Sequence, residues 1–311
     1  MIGHTLPIII SMSRMPTMWI NQPGPVSDHV TMVGSMAFPC YFIKGERTAM
    51  VDAGVTALAP LIRQEFSSPE RQLNYVLLTH SHFDHVGCLG ILRRLSPQII
   101  VVGSLEAANI LAKPKVHEFI LEMNRGQEKA VGFEEEVPLE PGDLKVDMVL
   151  GEGETIDLGG VLTVEVFLTP GHTRCSASYL LKPDGVLFAG ESLGTYISEN
   201  QAGPEFTSSF SEYIDSLKKI LKIAPNVLAL PHQGALTGPD ALRHLENAIR
   251  DAESFHHDVL KMADAGRSQD EIVAEMFPRL RKGPAAMEPE RSFRINLESM
   301  VRATLKEREQ S

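Results

Sequence analysis

The run Thr79-His-Ser-His-Phe-Asp-His85 constrains this chain more than any other feature. With 11 histidines in 311 residues, an H-x-H-x-D-H pattern arises by chance in roughly one such chain in two thousand. That rarity sets aside a merely solvated polar loop. The apolar stretch Tyr75 to Leu78 leads straight into the run and reads as a short buried strand. His80 and His82, two residues apart in extended geometry, point their imidazoles the same way while Ser81 points away. They can share one metal ion. Asp84 and His85 follow as the chain turns into a helix, which re-aims them and makes a second ion their natural target.

A two-ion centre needs more ligands than these four, and the ends of other strands supply them. His172 stands in Thr169-Pro-Gly-His-Thr173, directly after the alternating stretch Val161 to Leu168. Pro170 forces an extended residue before it and Gly171 allows a tight turn. Glu191 follows Val186 to Ala189 through Gly190, and His232 follows Val227 to Leu230 through Pro231. Four loops after four short apolar strands thus present His or carboxylate at one edge of the sheets. Imidazole and carboxylate without thiolate suit two divalent ions, zinc ahead of iron or manganese.

The rest of the chain divides by character. Residues 1–28, with Pro7, Pro16, Pro23 and Pro25, read as an extended N-terminal arm. Residues 29–238 mix strands and helices: Val30 to Asp52 is strand-like with a hairpin turn at Gly45-Glu46, 105–132 is helical with a break near Pro114, and Ser209 caps a helix to Ile223. Residues 239–311 show helices only, one opened by the Ser268-x-x-Glu271 box, and are expected to pack on the same domain. Their apolar positions, among them Phe255, Val259, Ile272, Met276, Phe293 and Leu297, recur at helical spacing and are read first as core, with an acyl pocket or a homodimer face as alternatives. His256 and His257 are neighbours on a helix, face different ways, and so make a poor metal site.

A net charge of −11 argues against a nucleic-acid surface and leaves a small-molecule substrate as the expected partner. No run reaches the ~20 apolar residues that span a bilayer, so no membrane is expected. The apolar stretch Leu6 to Met12 lacks the flanks of a signal peptide. Cys40, Cys88 and Cys175 lie far apart and fit no disulfide framework, which makes the cytoplasm the expected compartment.

Together these residues resemble the metallo-β-lactamase superfamily, whose H-x-H-x-D-H signature, later Gly-His, later acidic residue and final His occur here in the same order over residues 30 to 235. The resemblance implies an α/β fold, a four-layer αβ/βα sandwich followed here by a C-terminal helical extension. It implies that His80, His82 and His172 bind the first ion, Asp84, His85 and His232 the second, and Glu191 both. The superfamily usually has Asp where this chain has Glu191, one methylene longer, so bridging or contact with a single ion both stay open. Val51-Asp-Ala-Gly54 is similar to a superfamily loop near the site, which makes Asp52 either a residue that orients a ligand or a structural turn aspartate.

The spacings, 87 positions from His85 to His172 and 19 from there to Glu191, together with the helical tail, resemble the glyoxalase-II-type thioesterase and lactonase branch, including a quinolone-pathway thioesterase. The resemblance implies a hydrolase that cleaves a small-molecule ester or thioester, of acyl thioester, hydroxyacylglutathione or lactone type, with a hydroxide held between two ions, about 3.5–4 Å apart, that lower the pKa of water. Asp84 counts among the catalytic groups, and Tyr196 is expected either to donate to the substrate oxygen or to pack. Phosphodiester hydrolysis by the same centre is the enzymatic alternative. A metal-containing, ligand-binding regulator is the alternative from another class, and a flavodiiron oxidoreductase the third. β-Lactamase activity has no feature in its favour.

Overall fold

Residues Pro39–Ile43, Ala49–Val51, Tyr75–Leu77 and Val186–Phe188 are buried at every position. Strands without a polar face need cover on both sides, and the architecture follows from that need. The computed structural model of the protein describes residues 19–68 and 71–310. In chain order, β1 (Trp19–Ile20) precedes β2 (Gly24–Pro25), β3 (Val30–Gly34), β4 (Pro39–Ile43), β5 (Ala49–Val51), β6 (Tyr75–Leu77), β7 (Ile100–Gly103) and β8 (Met148–Val149). Strands β2 to β8 form one seven-stranded sheet in that order, antiparallel up to β5 and parallel beyond it.

Then come β9 (Thr155–Gly159), β10 (Leu162–Leu168), β11 (Ala177–Lys182), β12 (Val186–Phe188), β13 (Thr195–Ser198), β14 (Gln201–Gly203), β15 (Val227–Ala229) and β16 (Ala235–Thr237). The second seven-stranded sheet has the order β1-β16-β15-β12-β11-β10-β9, and β13 and β14 make a separate hairpin. The helices are α1 (Ala59–Phe66), α2 (Phe83–Val86), α3 (Leu89–Leu95), α4 (Leu105–Leu111), α5 (Pro114–Val131), α6 (Phe210–Ile223), α7 (Pro239–Asp264), α8 (Gln269–Leu280) and α9 (Glu290–Gln310).

Inward-facing residues such as Tyr41, Leu77, Val164, Tyr179 and Phe188 fill the space between the sheets. On the outer face of the first sheet lie α1, α3 and α5, through Ile62, Leu92 and Ile120. On the outer face of the second lie α6 to α9, through Leu217, Leu245, Ile272 and Leu297. This is the four-layer αβ/βα sandwich with a C-terminal helical region. The tail residues read as core are buried there, Phe255, Val259, Ile272, Met276, Phe293 and Leu297 among them. The Ser268 box forms as expected, with both reciprocal hydrogen bonds present.

The N-terminal stretch is described only in part. Of the arm read over 1–28, residues 1–18 lie outside the described residues. From Trp19 the chain already belongs to the sheets: Trp19 pairs with Leu236 in β16, its indole Nε1 donates to the Gln233 carbonyl at 2.7 Å, and Gly24 pairs with Met32. Prolines there are tolerated because β1 and β2 are edge strands. Among the described residues, no helix is long and apolar enough to cross a membrane.

Candidate metal centre

The loops after β6, β10, β12 and β15 converge, and tight backbone geometry brings them close. Gly171, at φ +128°, carries His172 past α6: a Cβ there would lie 2.3 Å from the Tyr213 Cα. Gly190, at φ +49°, lets the Glu191 turn approach β6: a Cβ there would lie 2.9 Å from Thr79 Oγ1. Neither position accommodates a side chain. Asp52, just past β5, adopts φ +58°, a left-handed conformation that Asp tolerates better than most residues. Its carboxylate thereby turns onto the start of the histidine run.

Hydrogen bonds fix the imidazoles so that one nitrogen of each faces inward. Asp52 accepts from Thr79 N and Thr79 Oγ1, both at 2.8 Å, and from His85 Nδ1 at 2.8 Å. Thr79 Oγ1, having donated, can accept from His80 Nδ1 at 3.1 Å. His172 Nδ1 donates to the Glu205 carbonyl and His232 Nδ1 to the Ala37 carbonyl, each at 2.5 Å. Because these acceptors have no proton to give, Nδ1 carries a hydrogen in His85, His172 and His232. Burial lowers His85 and His232, but the Glu191 carboxylate facing their Nε2 atoms outweighs it and raises both, His232 to about 9, so a cation bound there would displace the Nε2 proton.

The inward atoms sort into two sets, each lying within 4.8 Å: His80, His82 and His172, and then Asp84, His85, Glu191 and His232. Glu191 spans them. Its Oε1 lies 3.0 Å from His85 Nε2 and 3.2 Å from His232 Nε2, and its Oε2 lies 3.5 Å from His80 Nε2 and 3.9 Å from His172 Nε2. The seven expected ligands are therefore brought together without exception, and the extra methylene of Glu191 gives its carboxylate reach to both sets.

Burial pushes His80 far below its ordinary pKa, with His85 adding to the effect, and burial beside His172 takes His82 down to about 3. Burial likewise lowers His172. These three imidazoles are neutral lone-pair donors at neutral pH. Burial alone would raise Glu191, but His85 and His80 hold it well below the usual carboxylate range. His80 Nε2 and Glu191 Oε2 are nonetheless buried without a hydrogen-bond partner. Buried polar atoms are rarely left so, and two orphans of opposite sets, among ring nitrogens and carboxylate oxygens that converge on them, fit a pair of cations.

A family model described as the metallo-beta-lactamase superfamily matches residues 39–232, which holds all seven residues. The chain belongs to the metallo-β-lactamase superfamily. A metallo-beta-lactamase fold-containing protein of Sulfurisphaera tokodaii, ST1585, is 28% identical over 249 residues, 72% of this chain and 85% of its own. A hydroxyacylglutathione hydrolase of Acidiphilium cryptum is 27% identical over 216 residues, 67% of this chain and 72% of its own. A solved metallo-beta-lactamase family protein of Thermus thermophilus, TTHA1429, shares the fold at TM-score 0.59 and 20% identity, covering 95% of each chain. Members of this superfamily are typically metal-dependent hydrolases, and the centre here has the residues for that chemistry.

Two expectations about neighbouring residues resolve differently. Asp52 is no idle turn residue, since it orients His85. Tyr196 does not reach the cluster. On β13 successive side chains alternate: Thr195 lines the pocket beside the site, and Tyr196 faces the opposite way, with its ring 5.0 Å from Trp19 and 6.0 Å from His244. Burial, with Glu199 nearby, raises its hydroxyl. Packing, the other reading, holds for this side chain.

The pocket itself is lined by Asp84 and His232 together with Phe38, Phe83, Gln127 and Glu288. Glu288 and, behind Thr195, Glu205 carry no sequence signal of a site. Glu288 comes from the turn between α8 and α9, and burial pushes its carboxyl up to about 7. Burial, and Glu288 after it, raises Glu205 well above the ordinary range. Only the packing of the tail reveals them.

Proposed function

We propose that this chain is a dinuclear metal-dependent hydrolase that cleaves a small-molecule ester or thioester, lactones included. The observation that carries the reading is the position of Glu191, with one carboxylate oxygen toward each ligand set. His80, His82 and His172 would hold one ion, Asp84, His85 and His232 the other, and Glu191 both. When bound, such ions acidify water and stabilise developing oxyanion charge.

The remaining work falls to the chain's own groups. Asp52 and the carbonyls of Glu205 and Ala37 hold three imidazoles with Nε2 inward. Asp84 lies at the pocket wall, with Oδ2 3.8 Å from His232 Nε2, where a carboxylate oxygen can take up the proton of the attacking water. Phe38 and Phe83 exclude solvent from the reacting carbonyl. Hydroxyacylglutathione hydrolases among the relatives support thioester chemistry over phosphodiester cleavage. Three free, buried thiols, Cys40, Cys88 and Cys175, suit a reducing cytoplasm.

Turnover by zinc-, iron- or manganese-loaded protein decides the matter, on p-nitrophenyl esters, acyl thioesters, lactones and bis-p-nitrophenyl phosphate. Ester or thioester cleavage that disappears in His82→Ala supports the reading. Preference for the phosphodiester overturns the substrate class. Fully loaded protein inert on every class is a ligand-binding protein, not an enzyme.

A further inference from the structure

The pocket beside the ligand sets encloses about 420 Å³ of space, part of it open to solvent. Its walls are apolar at Phe38, Phe83 and Met287 and acidic at Asp84 and Glu288. A further carboxylate stands behind them: Thr195 Oγ1 donates to Glu205 Oε1 at 2.8 Å, and Glu205 Oε2 is buried without a partner. None of the 12 lining residues is Lys or Arg. Nearby arginines are engaged on the backbone or at the surface. Arg281 Nη2 donates to the carbonyls of Ala286 at 3.2 Å and Glu288 at 3.1 Å, and Arg291 pairs with Glu122 at 3.0 Å.

With its carbonyl at the ligand sets, a substrate lays the neighbouring part of its acyl or leaving group against this wall. An anion there is desolvated against the Glu288 and Asp84 carboxyl groups with no lining Lys or Arg to pair it, and Arg281, though near enough to act on Glu288, has its Nη2 on the backbone. An ammonium group is paired, and a neutral chain only buries apolar area. We propose that Glu288 is a specificity residue that makes this hydrolase select esters and thioesters whose non-reacting part is cationic or neutral and reject those in which it is anionic. Thioesters of glutathione, which carries two carboxylates, and of phosphate-bearing coenzyme A are then poor substrates. The inference rests on the hydrolase reading and narrows its substrate class.

The test uses full-length, zinc-loaded protein and three p-nitrophenyl esters of equal acyl length that end in ammonium, methyl or carboxylate. The matching amides, which resist cleavage, are titrated in parallel by calorimetry. The expected order of kcat/KM and of affinity is ammonium, then methyl, then carboxylate, with about tenfold or more between the first and last. The ratio shrinks in Glu288→Gln and inverts in Glu288→Lys, mainly through KM. If the wild type takes the carboxylate ester as well as the methyl one, or if both variants fold and keep the wild-type ratio, the proposal is overturned. Should no ester turn over while the amides bind in the stated order, the hydrolase reading fails and the selectivity stands. Esters cleaved with no order among them sustain the hydrolase reading and overturn the selectivity.

Discussion

At the scale of single residues, the centre depends on groups that touch no substrate. Asp52 fixes the His85 tautomer, so Asp52→Ala is expected to weaken metal binding by about 10–100-fold while the fold persists. Competition against a chromogenic chelator measures this, and unchanged affinity would remove Asp52 from the account. His244 makes a different prediction. It is buried, its Nε2 donates to the Leu193 carbonyl at 3.0 Å, and burial lowers its pKa from 6.5 to about 4. The native state keeps it neutral where the unfolded chain protonates it, so stability falls as pH drops below 6.5 and the loss is complete near 4. That loss amounts to roughly 3 kcal/mol. Urea unfolding at pH 7 and pH 4 checks it, with His244→Gln expected to show a smaller drop than the wild type. The seven candidate ligands were legible because His80, His82, Asp84 and His85 form one rare run, and His172, Glu191 and His232 each follow a short apolar strand. Glu205 and Glu288 were not, since nothing local marks a glutamate that only tertiary packing brings to a pocket.

At the scale of elements, loops after strands deliver the ligands, and their turns tolerate little change. Gly171→Ala sets a Cβ against the Tyr213 backbone in α6 at φ +128°. We expect a loss of roughly 3 kcal/mol in stability and displacement of His172, seen as weakened binding of the first ion. Wild-type stability and metal content in that variant would contradict the placement of the loop. Strands with one polar face or a flanking turn signal were readable, as in the alternation of Leu162, Val164 and Val166. β11 was not: Ala177 to Leu181 is buried throughout, and a run without alternation and without a flanking turn signal cannot be told from a buried helix segment. Equally hidden was β13, and with it the parity that sends Thr195 to the pocket and Tyr196 away. Two-residue strands such as β1 and β2 carry no period at all, which is why Trp19 reads as part of an arm.

At the scale of the molecule, the tail is structural cover and pocket wall at once. Leu297, on α9, is fully buried in the cluster that joins the second sheet to α6, α7 and α8. Leu297→Ala should cost about 2–5 kcal/mol, and an effect within 0.5 kcal/mol would mean that α9 is not core. Helical spacing predicts this burial. It does not predict that the turn between α8 and α9 brings Met287 and Glu288 to the metal centre, because period reports a helix face and not what lies beyond a helix end. The proposed centre holds two ions that flank one glutamate. Anomalous diffraction from crystals of the metal-loaded protein tests it most directly. Two peaks per chain are expected, one among His80, His82 and His172 and one among Asp84, His85 and His232, with the Glu191 carboxylate between them. A single peak, or two peaks with Glu191 bound to neither, would contradict it.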